Sequence, residues 1–491
     1  MTTIDFFTNR PIRMNYQEPS TNNCAVCSKT FEQRAAKQEN NSSSQSIFLR
    51  SLIFKIHLAT IILFLLSGCV TGPGPYRATA QTLVLKPLPK EPFWWGISTA
   101  SFQNEDRGYK PNSLWYFKTD WDRYAEEGLV PARGEDAVFS WSEFYRDIAA
   151  AKELGVNHFR FGVEWARIEP HPGVVDDEAL EQYVSMAREL KKAGIEPIVT
   201  LWHFTFPDWL YDGKDKAHSN FSHPSVEKAW HAHMERIVHA LAPYVKIYVP
   251  QNEPNGALQL GWIAGHWPPG LLLHPLGYKK AMNTAACMFR DAAAIVRKER
   301  PDAMIMGIYS LPECRRSFLH DPTALIYNIY QRQNYDHLDK VVDICDIIGV
   351  NYYYSKSSSI RELIVRPMGE RSSEYTQMGW EIVPEGLYRT LCCIRDRYHK
   401  PIVVSENGIA TQSAQKSIAF FRNHIAQMRR AMNDGVDVRG YFPWTLVDNY
   451  EWTEGWHGQF GLFSYDKKTH ERHITPPGIW LSRFISAYPE P

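Results

Sequence analysis

The feature of this sequence that most restricts its fold is an alternation of short apolar strands with amphipathic helical segments after Glu91. Each predicted strand is a run of apolar residues of the kind found in parallel sheets that are buried on both faces. Several helical segments end at a glycine, as helices commonly do. The predicted strands are Phe93–Ser98, Asn157–Val163, Ile195–Trp202, Val245–Gln251, Ala303–Ile308, Ile344–Asn351, Ile402–Ser405 and Val438–Trp444.

Eight strands with helices between them predict an α/β fold, a single (β/α)₈ barrel that covers residues 91–491. An open doubly wound sheet is the alternative, but no G-x-G-x-x-G motif follows the first strand. In a barrel, the functional side chains lie at the carboxyl ends of the strands. The predicted helices are Ser140–Leu154, Asp177–Ala193, Ser225–Tyr244, Leu276–Arg300, Glu385–Tyr398 and Ile418–Asn433.

Two glutamates stand directly after predicted strands. In Pro401–Gly408, PIVVSENG, Glu406 follows a short apolar run, and in Val245–Gly256, VKIYVPQNEPNG, Glu253 follows an alternating strand. Either glutamate alone could simply open a surface loop. Two carboxylates on separate strand ends of one barrel can instead face each other across a pocket, which is the arrangement that glycoside hydrolysis requires.

Further polar and aromatic residues follow the other strands. Each has an ordinary structural explanation: His203 could be a satisfied buried imidazole, Arg160 the partner of a carboxylate, and Trp444 a core residue. Their joint placement at one end of the predicted barrel indicates a functional site. The set comprises Gln103, Glu105, Arg160, Trp165, His203, Asn351, Tyr353, Trp444, Glu451 and Trp452.

Composition excludes some partners. The 54 basic and 54 acidic residues balance, so no nucleic acid or other polyanion is expected to bind. The 16 tryptophans suit sugar binding, because aromatic faces stack on the apolar faces of sugar rings. Cys24 and Cys27 form a single CxxC without a second pair or a histidine cluster, so neither a metal site nor a cofactor is expected.

The first ninety residues predict three segments outside the barrel. Residues 1–46 are polar and predicted to be disordered, residues 47–70 resemble a signal segment, and residues 71–90 are a tether rich in proline and glycine. The apolar run Leu58–Leu66 has the length of a signal core, and Leu66–Cys69, LSGC, resembles a bacterial lipobox.

The favoured interpretation of that segment is a lipoprotein anchored to a membrane through Cys69, or an exported protein. The alternatives are a buried helix or an ordinary signal peptide, and a cytoplasmic location if residues 47–70 are not a working signal. A signal segment normally begins near the start of a chain, so either the true start lies downstream or the polar extension is real.

Six stretches are similar to family 1 glycoside hydrolases, the retaining β-glucosidase and β-galactosidase group of (β/α)₈ enzymes. The resemblance covers about Phe93 to Tyr488, and its motifs occur in the family's order. The stretches are Phe93–Asp106 (FWWGISTASFQNED), Phe159–Ile168 (FRFGVEWARI), Thr200–Leu210 (TLWHFTFPDWL), Asn252–Pro254 (NEP), Ser405–Gly408 (SENG) and Trp444–Trp452 (WTLVDNYEW).

This resemblance implies roles for individual residues. Glu406 would be the nucleophile and Glu253 the general acid/base of a retaining β-glycosidase. Tyr353 would line the sugar site beside the nucleophile, which Arg160 and Asn351 would support. Trp444 would form the stacking floor of the sugar site, and the sugar hydroxyls would be held by Gln103, His203, Asn252, Glu451 and Trp452.

The sequence also departs from the family pattern. Phe204-Thr205 replaces the usual Trp-Asp, Gln103–Asp106 lacks the usual glycine, and only a short link joins Gly408 to Ile418. The Glu451-Trp452 pair is absent from relatives that cleave 6-phosphorylated sugars, so an unphosphorylated β-glycoside is expected.

Two other functions on the same scaffold remain open at the level of sequence. One is a non-catalytic carbohydrate-binding protein, although both carboxylates are present, and the other is a transglycosylase that uses the same intermediate. The sequence predicts neither the oligomeric state, nor the natural leaving group, nor a preference between glucose and galactose.

Overall fold

The computed structural model describes residues 92–108, 113–319, 321–358 and 374–487, and within them eight parallel strands close into a barrel. Each strand pairs with its neighbours in sequence, and the eighth pairs with the first. The predicted (β/α)₈ barrel is therefore confirmed. The strands are β1 (Trp94–Ser98), β2 (His158–Gly162), β3 (Glu196–Thr200), β4 (Ile247–Val249), β5 (Met304–Ser310), β6 (Ile347–Asn351), β7 (Ile402–Asn407) and β8 (Val438–Pro443).

Helices surround this barrel, and six of them coincide with the six predicted helical segments to within a few residues. They are α1 (Ser101–Asn104), α2 (Asp120–Glu126), α3 (Phe144–Leu154), α4 (Trp165–Ile168), α5 (Asp177–Lys192), α6 (Val226–Leu241), α7 (Pro254–Trp262), α8 (Pro275–Glu299), α9 (Leu325–Tyr335), α10 (Leu338–Val341), α11 (Pro384–Tyr398), α12 (Ala414–Asn433) and α13 (Pro476–Ala487).

An apolar layer fills the inside of the barrel below the site. The ring of Phe442 occupies this space so fully that a Cβ added to Gly96 on β1 would lie 2.1 Å from it. Functional side chains in such a barrel therefore lie above this layer, at the carboxyl ends of the strands. The buried members of the layer are Trp94, Ile198, Ile247, Val249, Met306, Ile308, Ile347, Val403 and Phe442.

The loops contain elements that the sequence did not predict. Glu313–Arg315 pairs with Ser355–Ser357 in a small parallel sheet after β5 and β6, and Phe463–Tyr465 pairs with Arg472–Ile474 after β8. Helices α1, α2, α4, α7, α9, α10 and α13 were also not predicted. Strand β7 is longer than expected, because Glu406 still pairs in register with Asn351 after a shift in the β6–β7 ladder.

The predictions for residues 1–46, 47–70 and 71–90, including lipidation of Cys69, lie outside the described residues and stay predictions. Among the helices that the structure describes, none combines the length and the apolar character needed to cross a bilayer.

Candidate active site

Glu406 lies at the carboxyl end of β7 with both carboxylate oxygens occupied by donors. Arg160, from β2, donates through Nη2 to Oε1 in a buried ion pair. The hydroxyl of Tyr353, which follows β6, donates to Oε2 at 2.6 Å. A guanidinium and a phenol that both donate to one carboxylate stabilise its charged form.

Glu253 follows β4 and occupies the position just before α7, where Pro254 takes the first helical position. Its backbone is left-handed, with φ 44° and ψ 46°, a conformation that non-glycine residues adopt mainly where their surroundings impose it. Asn351 Nδ2 donates to Glu253 Oε1 at 2.6 Å. Burial, together with the charge of Glu406, raises the pKa of Glu253 to about 8.

An amide network joins the two carboxyl groups. Asn252 Oδ1 accepts from Arg160 Nη1 at 3.4 Å and from Asn351 Nδ2 at 3.3 Å. Asn351 Oδ1 in turn accepts from the hydroxyl of Ser405 at 2.7 Å. Glu253 and the ion pair of Glu406 therefore lie in one continuous hydrogen-bonded cluster at the carboxyl ends of β2, β4, β6 and β7.

His203, just after β3, presents a free donor to this cluster. Asn252 uses its oxygen for Arg160 and Asn351, so its Nδ2 donates to His203 Nε2, 3.1 Å away. Burial, with the nearby guanidinium of Arg160, lowers the pKa of His203 well below its usual value, so the ring is neutral. Its Nδ1 therefore carries the proton, and this buried atom has no partner among the described residues.

The residues after β1 and β8 form the other wall. Gln103 Nε2 donates to the Tyr450 carbonyl at 2.7 Å, which leaves the buried Oε1 without a partner among the described residues. Trp444 Nε1 donates to Glu451 Oε1 at 3.1 Å. Burial raises the pKa of Glu451 well above its usual value, and the charge of Glu406 adds to this effect.

Trp452 lies behind this wall in a cluster of aromatic rings. Its ring centroid is 6.1 Å from that of His203 in a stacked geometry and 5.7 Å from that of Phe102. The ring of Trp444 is 6.2 Å from that of His203. The structure therefore joins ten of the predicted site residues of the barrel through contacts with one another, namely Arg160, His203, Asn252, Glu253, Asn351, Tyr353, Glu406, Trp444, Glu451 and Trp452. Gln103 instead bonds Asn449 and Tyr450, on the segment between Trp444 and Glu451.

Two other residues that follow strands have structural positions instead. Glu105 is bound by Arg167 Nε at 3.0 Å and by the hydroxyl of Tyr183, away from the cluster. Trp165 is buried and packs edge-on against the ring of Trp230 at 5.8 Å. A position just after a strand is thus not sufficient to place a side chain in the hydrogen-bonded cluster.

The departures from the family pattern are accommodated locally. The hydroxyl of Thr205 donates to both oxygens of Glu164, at 3.1 and 3.0 Å. Asp106, in place of the usual glycine, accepts from the Ser142 amide at 3.0 Å. Ser405, whose hydroxyl orients Asn351, was not among the predicted site residues, although it belongs to the SENG stretch.

Chemically, the cluster pairs two carboxyl groups with opposite environments. Glu406 faces a cation and a hydroxyl donor, whereas Glu253 has one amide donor and a raised pKa. Two neighbouring carboxyl groups with unequal proton affinities can act together, one as a proton donor and the other as a charged carboxylate. Unsatisfied polar atoms on His203 and Gln103 provide one donor and one acceptor for a polar ligand such as a sugar.

Comparison with known proteins agrees with this geometry. The family model described as "Glycosyl hydrolase family 1" matches residues 85–305 and 301–488. "Beta-glucosidase A" of Thermotoga maritima is 27% identical over 447 residues, covering 80% of this chain and 97% of that protein. A "Bifunctional beta-D-glucosidase/beta-D-fucosidase" of Bifidobacterium breve is also 27% identical, over 463 residues, with the same two coverages.

Solved structures give the same result. The "beta-glycosidase from Pyrococcus horikoshii" superposes with a TM-score of 0.69 at 29% identity, covering 80% of this chain and 93% of that one. The family 1 β-glucosidase from Thermotoga maritima in complex with isofagomine lactam gives a TM-score of 0.71 at 25% identity, covering 81% and 99%. With its barrel and nearly its whole described length matched, the chain belongs to glycosyl hydrolase family 1 and is a β-glycosidase.

Proposed function

We propose that this protein hydrolyses terminal, non-reducing β-D-glucosyl residues by double displacement, with Glu406 as nucleophile and Glu253 as general acid/base. The observation that carries the proposal is the contrast between the two carboxyl groups. Glu406 accepts from Arg160 and Tyr353, while burial and the charge of Glu406 favour the protonated form of Glu253.

In the first step, the Glu406 carboxylate attacks the anomeric carbon while Glu253 donates its proton to the oxygen of the leaving group. The bond to the leaving group breaks and an ester bond to Glu406 forms. The negative charge of Glu406 is then lost, so the proton affinity of Glu253 falls. Glu253 can now accept a proton from the water that releases the sugar with its β configuration retained.

Binding of the sugar follows from the unsatisfied atoms around the cluster. His203 Nδ1 would donate to one hydroxyl and Gln103 Oε1 would accept from another. Asn252 would contact the 2-hydroxyl, where a hydrogen bond strengthens as the oxocarbenium-like transition state forms. Trp444, held by its bond to Glu451, would stack under the ring.

The substrate is proposed to be an unphosphorylated β-glucoside. A Cβ added to Gly458 would lie 2.9 Å from Glu451 Cγ, so this stretch fits closely against the carboxyl group. Among the described residues, no lysine or arginine bonds Glu451, whose carboxyl group accepts from Trp444 Nε1. The names of the Thermotoga and Bifidobacterium relatives support glucose as the sugar.

Activity on an aryl β-glucoside tests the proposal, with the first-formed sugar anomer read by NMR. We expect β-glucose first, and loss of activity in Glu406→Gln but not in the control Glu227→Gln, an exposed position on α6. α-Glucose as the first product would contradict double displacement, and binding without turnover would indicate a non-catalytic protein. A predominance of glycosylated products with added sugar acceptors would indicate a transglycosylase.

Cleavage of a 6-phospho-β-glucoside is the separate test of substrate class. We expect it to be at least about 100-fold slower than that of the unphosphorylated glucoside, because no lysine or arginine in the described part of the chain bonds Glu451 and could pair with the phosphate. Comparable rates would contradict this assignment.

We also propose that the mature protein is a lipoprotein, on the basis of the sequence Leu66–Cys69 alone. Metabolic labelling with a fatty acid should mark the protein, and Cys69→Ala should abolish the label. A labelled Cys69→Ala variant would show that the lipid is attached elsewhere, and an unlabelled wild type would remove the proposal.

A further inference from the structure

The rim of the pocket next to Glu253 has a different character from the sugar-binding wall. Gln103, Trp444 and Glu451 follow β1 and β8, and the strands opposite these in the closed barrel are β5 and β4. The loop after β5 therefore lies beside Glu253, and the loop after β6, the next strand of the barrel, extends from there to Phe460, which Trp380 contacts at 6.2 Å between ring centroids. Because Glu253 would protonate the leaving group, these loops form the side of the pocket that the leaving group faces.

A path of aromatic rings leads outward from Glu406 along this side. Tyr353, which donates to Glu406, lies 5.4 Å from Trp380 between ring centroids. Trp380 in turn stacks on Tyr354 at 5.3 Å, with an interplanar angle of 30°. All three side chains are partly exposed, so they offer ring faces to an aromatic or sugar leaving group.

Lys356 stands at the outer end of this path. Its Nζ lies 5.9 Å from the ring centroid of Tyr354 and 5.3 Å from that of Tyr330 on α9, within the range of cation–π interactions. Both ring contacts, together with its place in the Ser355–Ser357 strand, fix the direction of the side chain. Its positive charge also offsets part of the rise in the pKa of Glu253.

Lys356 is half-buried, and its ammonium group has no carboxylate partner among the described residues. The carboxylates of the neighbouring segments are already occupied. Glu313, on the strand paired with Ser355–Ser357, is bound by Arg389 at 3.0 Å and by Ser355 at 2.6 Å. Glu381 is bound by Arg315. A partly desolvated cation without a counter-ion is a site for an anion.

We propose that Lys356 makes this enzyme selective for leaving groups that carry a carboxylate. The aromatic part of such a leaving group would lie along Trp380 and Tyr354, and its carboxylate would pair with the Lys356 ammonium. The proposal rests on the proposed hydrolysis of β-glucosides and names the chemistry of the group that is released. It gives Lys356 a role in substrate selection that is separate from its effect on the pKa of Glu253.

A matched pair of aryl glucosides tests this inference. The 4-carboxyphenyl β-glucoside carries the anion, and the 4-carbamoylphenyl β-glucoside is its neutral counterpart of similar shape. In the wild type, we expect kcat/KM to be about tenfold higher for the carboxylate, since a hydrogen bond to a charged group contributes on the order of that factor. The preference should shrink as salt is added.

The variants assign the preference to one residue. Lys356→Met should bring the ratio of kcat/KM for the two substrates close to one, mainly by raising KM for the carboxylate. Lys356→Arg should keep most of the preference for the carboxylate. Lys280→Met, at an exposed position on α8, is the control and should retain the wild-type ratio. Turnover of the neutral substrate verifies that each variant is folded.

A wild-type ratio near one, or a ratio that Lys356→Met leaves unchanged, would overturn the inference while the proposed hydrolysis stands. If the wild type cleaves neither substrate nor any simple aryl β-glucoside, the proposed function itself fails, and the inference fails with it.

Discussion

Arg160 and Glu406 form an ion pair at the carboxyl ends of β2 and β7 in which their side chains are 1% and 5% exposed. The Arg160 guanidinium reaches Asn252 as well as Glu406, so one planar group orients two residues of the site. The pair lies in the open end of an otherwise apolar barrel interior. Because both side chains are buried, removing one of them leaves the other charge without its partner, so both stability and activity should depend on the pair.

Arg160→Met should lower the free energy of unfolding by about 3–5 kcal/mol, because it leaves the buried Glu406 charge without its cation. Urea denaturation measures the change. Arg290→Met, which removes an exposed pair with Asp343, is the control and should cost less than about 1 kcal/mol. The double variant Arg160→Met/Glu406→Gln should be more stable than Arg160→Met alone, and failure to see this would contradict the explanation.

Tyr353→Phe should lower kcat/KM by about 10- to 100-fold, since Glu406 loses a hydrogen bond to a charged group while it keeps Arg160. The matched control is Tyr388→Phe, which removes a phenol that donates at 2.8 Å to the carboxylate of Asp434 on the surface. Steady-state kinetics on an aryl β-glucoside should leave the control unchanged. Equal rates for Tyr353→Phe and the wild type would show that this hydrogen bond does not contribute to catalysis.

The pH dependence should report Glu253. Its raised pKa keeps the acid protonated at neutral pH, so kcat/KM should fall as the pH rises through about 8. Asn351 donates to Glu253 and favours its charged form. Asn351→Ala should therefore raise the pKa further and move the alkaline limb to higher pH. A limb that stays in place or moves to lower pH would contradict this account.

Much of this site could be predicted from the sequence because its members sit at strand ends within recognisable stretches. The apolar run of β7 before Glu406 is an example. The hydrogen bond from Asn351 to Glu253 could not be predicted, because it depends on the shifted register between β6 and β7. Nor does a local pattern separate Glu105, which bonds Arg167, from Gln103, which bonds the segment after β8. Such choices depend on partners that lie far away in the chain.

The contacts of Glu164, a buried carboxyl group outside the catalytic cluster, likewise could not be predicted from the local sequence. It accepts from the Thr205 hydroxyl and, at 3.2 Å, from the Ala166 amide. Burial, with a contribution from the charge of Glu105, raises the pKa of Glu164 to about 7. The folded protein thus binds this proton more tightly than the unfolded chain, whose carboxyl group titrates near 4.5.

Stability from this proton is fully present below the unfolded pKa and is lost as the pH rises toward the folded pKa. Glu164→Gln stays neutral at every pH and can still accept from the Ala166 amide. The variant should therefore gain on the wild type by up to about 3 kcal/mol between pH 5 and pH 8. Unfolding free energies of both proteins at the two pH values give this difference, with Glu227→Gln as the exposed control. If the variant shows the same pH dependence as the wild type, Glu164 does not bind a proton in this pH range. The carboxyl group of Glu164 is then negatively charged in the folded protein.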